Sequence, residues 1–199
     1  MVGNLIEGCV SFMVERGAIP NTDEQLEIYR YGMELQIYYL IHAFILLGIG
    51  LLFGQAARVA LLLFLFGLIQ SNGGGYHANT HGKCLAIMVL GVLAFLALLP
   101  LYQAGIILQA ASVILGLAVV IYLAPVAHKN HPLSPEKSKR MGKRAKILAG
   151  AISVIWCGAA FFNIWPDARA VISLTMALTG VSLIAAQVKK RALSGSGCD

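Results

Sequence analysis

Apolar residues in this 199-residue chain come in long blocks rather than alternating with polar ones. The segments 40–53, 56–69, 85–101, 106–126, 147–165 and 170–186 carry almost no charge. A helix needs ~20 apolar residues to cross a bilayer, within a range of about 17–25. The later blocks reach that length outright, and the first two reach it if their helices run a turn into the flanking residues. The pattern predicts an all-α, polytopic membrane protein of six spans, the second being the weakest.

Ahead of the first block the pattern changes. Residues 2–16 place Val2, Leu5, Ile6, Cys9, Val10 and Met13 on one helical face, with Glu7, Ser11, Glu15 and Arg16 around the other side. That spacing predicts an amphipathic helix lying in the membrane interface. Ala18-Ile19-Pro20 ends it, and Thr22-x-x-Gln25 fits a capping box that starts a second helix, running through Glu34 into the first span. The acidic residues scattered over 1–34 argue against a cleaved signal peptide. Residues 1–199 therefore read as one membrane-embedded domain with an amphipathic N-terminal region at 1–34.

Composition sharpens the class. Charged residues make up 12% of the chain and hydrophobic ones 58%, whereas a soluble domain carries roughly a quarter charged residues. Lys and Arg in short loops stay on the cytosolic side. With both termini inside and six spans, thirteen of the fifteen basic residues are cytosolic, and only Arg58 and Arg169 lie outside. The net charge of +6 thus reads as topology and contact with anionic lipid, and nucleic-acid binding is excluded for want of soluble mass. Cys9, Cys84 and Cys198 fall at the cytosolic face and Cys157 within a span, so no disulfide is expected.

Candidate chemistry sits between the second and third spans. The polar, glycine-rich connection 70–84 holds Gly74, Gly75, Tyr76, His77, His81 and Cys84. A cysteine attacks carbonyls as its thiolate, and an imidazole can take the thiol proton and later protonate the leaving amine. His77 and Cys84 lie two helical turns apart, ~10.5 Å along a continuous helix, so they meet only if the chain bends, and Gly82 offers a bend. His77, His81 and Cys84 could instead be metal ligands, since i and i+4 imidazoles share a helical face. A third reading is an inert connection in a membrane transport or scaffold protein. The connection 127–146 is basic and proline-punctuated, and reads as a cytosolic anchor.

Gly74-Gly75-x-His77-Ala78 followed by Cys84, between two spans, resembles the AgrB family (accessory gene regulator protein B) of Gram-positive quorum-sensing systems. Tyr31-Gly32-Met33-Glu34 is similar to the family's N-terminal motif, and Ala124-Pro125-Val126 with Pro132 and the basic run resembles its segment after span four. Length and hydropathy agree over almost the whole chain. The resemblance implies a membrane cysteine endopeptidase, without cofactor or metal, that removes the C-terminal part of an AgrD-type propeptide. It puts the nucleophile on Cys84 and the catalytic histidine on His77. It further implies that the peptide's own Cys or Ser resolves the acyl-enzyme, releasing a cyclic thiolactone or lactone. Gly74 and Gly75 are candidate oxyanion donors, and Glu34 is a candidate orienter of His77. Small residues in the spans would permit a homodimer. The chain departs from the family at Gln70, where members often carry Arg.

Overall fold

The computed structural model describes residues 2–20, 22–76, 80–126 and 134–195. The described residues form seven helices: α1 (Val2–Glu15), α2 (Asp23–Leu52), α3 (Ala56–Gly73), α4 (His81–Ala104), α5 (Ile106–Leu123), α6 (Pro135–Phe161) and α7 (Pro166–Gly195). All but α1 are long and apolar enough to cross a membrane. The two short blocks reach span length as expected, because the first span begins at Gln25 and α3 runs on to Gly73. Phe44, Phe64, Leu90, Ile107, Leu115 and Val154 are exposed. A soluble bundle would bury such side chains; in a bilayer they meet acyl chains, while helical hydrogen bonding satisfies the backbone.

The chain divides into two compact units, 1–48 and 49–199. In the first, Ile6, Val10 and Ile19 are buried, with Met13, Val14, Leu26, Tyr29, Met33 and Ile37 packed against them. The apolar face of α1 is thus covered in part by α2. Cys9, which the periodicity put on that face, is exposed. Arg30 Nε and Glu7 Oε1 lie 2.8 Å apart, both about half exposed, a pairing worth at most ~1 kcal/mol.

In the second unit α7 is the central helix. It packs against α3, α4, α5 and α6, and 56% of its apolar window is buried, against 33% or less for the other spans. Its closest neighbour is α5, because Gly116 has no side chain. A Cβ there would come within 2.5 Å of the Met176 carbonyl oxygen, the small-residue approach that drives helix association in lipid. Leu65, Ile69, Val113, Val120, Ile152, Trp156, Met176 and Leu183 fill the core. Buried Ser173, Thr175 and Thr179 donate to carbonyls of their own helix, Ala170, Val171 and Thr175, at 2.7–3.0 Å, so their hydroxyls are satisfied.

Three connections at one end of this unit are very short: 53–55, residue 105 and 162–165. Gly54 makes the first with a left-handed φ of 64°. Here Arg58 pairs with Asp167 at 3.0 Å, Gln103 Nε2 donates to the same carboxylate at 2.5 Å, and Arg58 also donates to Gln55. Arg169 donates to Asn163 at 3.2 Å. The two arginines placed outside by the charge pattern are therefore both engaged. A cavity of about 450 Å³ beside the Arg58–Asp167 pair is also lined by Gln55, Leu61 and Val171.

Two expectations are corrected. The glycine-rich connection is shorter than 70–84, since Gln70–Gly73 belongs to α3 and His81 opens α4. Asn72 Nδ2 and Ser71 Oγ both donate to the Leu68 carbonyl at 3.1 Å, so these polar residues bind their own helix end instead of forming a loop. The basic connection is likewise mostly helix. Residues 127–133 lie outside the described residues, but α6 starts at Pro135 and carries Lys137 through Lys146. Ser134 caps it, accepting from the Lys137 N–H at 3.3 Å, with proline in the first turn and Glu136 behind it.

Candidate active site

The end of α3 opposite Arg58 is built on glycine. Gly74 has φ 73° and its N–H donates to the Gln70 carbonyl at 3.0 Å, closing the helix. Its ψ of −179° puts it in an extended, positive-φ region that essentially only glycine takes without steric cost. The chain then crosses the exit of α5: the Val126 N–H donates to the Gly73 carbonyl at 2.9 Å, and a Cβ on Gly74 would overlap the Val126 carbonyl oxygen. Pro125 in turn lies on Gly142 of α6, where a Cβ would come within 2.6 Å of Pro125 Cδ. The Ala124-Pro125-Val126 segment and the glycine motif, 50 residues apart in sequence, are thus one structure.

Gly75 is buried beneath the Gln70 side chain, which a Cβ would overlap. Gln70 Nε2 reaches across to α7 and donates to Ser182 Oγ at 2.6 Å. The Tyr76 N–H donates to the same oxygen at 3.1 Å. The Tyr76 ring lies 5.0 Å from Lys189 Nζ, a cation–π contact worth ~0.5–1 kcal/mol at a partly exposed site. Sequence reasoning missed Ser182 and Lys189; Gln70 was singled out only as a departure from Arg.

His77, with Ala78 and Asn79, lies outside the described residues, as does the side chain of His81. Description resumes at Thr80, which is extended (φ −136°, ψ 149°) and caps α4. Thr80 Oγ1 accepts from the Lys83 N–H at 3.3 Å and its carbonyl from the Cys84 N–H at 3.0 Å. The departure from helix therefore falls at Thr80, not at Gly82, which sits in the first turn of α4 with no described residue within 4 Å of where its Cβ would be. Cys84 is the fourth residue of α4, half-buried and a free thiol. Glu34 is half-buried in α2, in the N-terminal unit. The Gly74 N–H, a candidate oxyanion donor, is engaged with Gln70. Among the described residues no group of three His, Cys, Asp or Glu side chains could hold a metal.

A cysteine thiol and a glycine-built, cross-braced turn thus stand at the two ends of one short connection between spans. The family model described as accessory gene regulator B matches residues 6–188. Two Clostridium perfringens proteins described only as AgrB-like, from strains SM101 and 13, are 27% and 26% identical. Each alignment covers 63% of this chain and 62% of the relative, so the chain spans less than two thirds of the length of these curated relatives. No solved structure matches. With the family match running from α1 through most of α7, this chain belongs to the accessory gene regulator B family.

Proposed function

We propose that the protein is a membrane cysteine endopeptidase of quorum sensing that cuts an AgrD-type propeptide and cyclises the part it retains. One observation carries the reading: a chain of the accessory gene regulator B family holds, in Cys84, a half-buried free thiol in the first turn of a span. His77 takes the proton from Cys84 Sγ, and the thiolate attacks the scissile carbonyl. The oxyanion that forms needs N–H donors; with the Gly74 N–H engaged, Gly75 is the remaining glycine for that role. As the intermediate collapses, the C–N bond breaks and the imidazolium gives its proton to the leaving amine, freeing the C-terminal fragment. The product is a thioester on Cys84.

Water would end the reaction as a linear acid. An internal Cys or Ser of the bound peptide attacks instead, its proton passing to His77 and Cys84 leaving as thiolate. The ring keeps an activated acyl bond, so closure needs no ATP. A nucleophile tethered to the acyl group has a large effective concentration over water, and a half-buried site at the bilayer edge adds to that advantage. The site faces the cytosol, on the side that the positive-inside pattern gives to both termini. Cys84→Ser tests the reading. It keeps the side chain's shape but puts a hydroxyl, far less acidic than a thiol, in place of the nucleophile, so release of the C-terminal fragment should fall below detection while the propeptide still binds. Release at near wild-type rate would disprove it.

A further inference from the structure

We propose that Ser182 is a positioning residue for the catalytic connection, acting through Tyr76; the inference rests on the endopeptidase reading above. Ser182 Oγ accepts two hydrogen bonds, from the Tyr76 N–H at 3.1 Å and from Gln70 Nε2 at 2.6 Å. A hydroxyl oxygen has two lone pairs, so both are in use. The donors lie 106 and 112 residues away in sequence, so this oxygen ties the end of the second span to the last one. Tyr76 is joined directly to His77, and fixing its amide fixes the chain where the segment bearing the proposed base begins.

The anchor itself is firm. Ser182 stands on α7, the most buried span, between Thr179 and Leu183, which are fully buried. The far end of the connection is held separately, by the Thr80 cap on α4, and α4 also packs on α7. Both ends of the His77–Cys84 segment are therefore referenced to one helix, one through α4 and the other through the Ser182 oxygen. Gly75 belongs to the same device, because only a residue without Cβ lets Gln70 pass over the chain to reach Ser182. Loss of the oxygen leaves two donors without their acceptor and frees one end. A misplacement of ~1 Å costs a reaction of this kind ~100-fold.

The test uses the full-length protein in proteoliposomes with a labelled AgrD-type propeptide. Ser182→Ala should lower kcat roughly 10- to 100-fold with KM little changed. It should also slow alkylation of Cys84 by iodoacetamide, which needs no substrate. Ser182→Thr and Ser182→Val have the same shape and differ only in the hydroxyl, so Thr should restore turnover and Val should not, even if the alanine variant fails to accumulate. Gln70→Ala combined with Ser182→Ala should be about as slow as the slower single variant, since both remove one interaction. Wild-type kcat in the Val variant, or a lowered melting temperature with kcat unchanged, overturns the proposal. Cys84→Ala separates the two levels: a dead Cys84→Ala beside a fully active Ser182→Val refutes Ser182 alone, whereas an active Cys84→Ala refutes the endopeptidase reading.

Discussion

Replacing Gly74 by alanine tests the architecture of the site in a single methyl group. The residue has φ 73° and ψ −179°, a region essentially confined to glycine that costs an L-residue about 1–3 kcal/mol. Its Cβ would also overlap the Val126 carbonyl oxygen, with the Val126 carbonyl carbon 3.2 Å away. These are backbone atoms, and they cannot move aside without breaking the bond from the Val126 N–H to Gly73. Overpacking of this kind adds about 1–3 kcal/mol, for a total of roughly 2–6 kcal/mol. Gly82→Ala is the control, because among the described residues nothing lies within 4 Å of a Cβ there and the position is helical. Alanine there should stabilise by up to ~1 kcal/mol and leave cleavage intact. Thermal unfolding in detergent reads both: at ~2–4 °C per kcal/mol for a chain of this size, Gly74→Ala should melt roughly 4–24 °C lower and Gly82→Ala no lower than wild type. A Gly74→Ala protein with wild-type melting and activity would refute the account of the α3 terminus. Loss of cleavage in a well-folded Gly82→Ala would restore the bend to Gly82.

Other outcomes follow from the same geometry. Gly116→Ala should destabilise by about 1–3 kcal/mol, because its Cβ meets the Met176 carbonyl, whereas Gly180→Ala, with contacts of 3.6 Å and beyond, should be tolerated. Circular-dichroism melts of the two variants decide it. In a background lacking the native cysteines, a cysteine at Ser138 should resist a membrane-impermeant maleimide applied to intact cells and one at Gln103 should react. The opposite pattern would put the site outside. Chelators should leave cleavage untouched and His81→Ala should be active; a stoichiometric metal in the purified protein would favour the His77–His81–Cys84 metal reading instead.

The spans were legible because hydrophobic runs report them directly, and Thr22 was read correctly as the lead-in to α2, which starts at Asp23. Cys84 was also placed rightly at the entry to a span. The errors came from reading glycine and charge as loop. Gln70–Gly73 stays helical because Asn72 and Ser71 bond back to Leu68, a choice composition does not reveal. The helix start in the basic run is written in Ser134-Pro135-Glu136, a cap, a first-turn proline and an acid at the positive end of the dipole, but its dense positive charge and prolines give the composition of a connection. Ser182 left no local signal. Its partners are more than 100 residues distant, and a serine in a span is ordinarily satisfied by its own helix. The Arg58–Asp167 pair was hidden for the same reason.

The three short connections have a practical consequence. At the Arg58 end the described chain offers only 53–55, residue 105 and 162–165 outside regular helix. A protease needs an extended segment of several residues to seat in its cleft, and an antibody needs a surface with some relief. That end presents neither. In the orientation proposed above, these turns offer added trypsin or an antibody little to engage from outside the cell. Detecting the protein from outside will therefore require an epitope inserted at one of these turns, and residue 105, which alone joins two spans, is the least able to accept one.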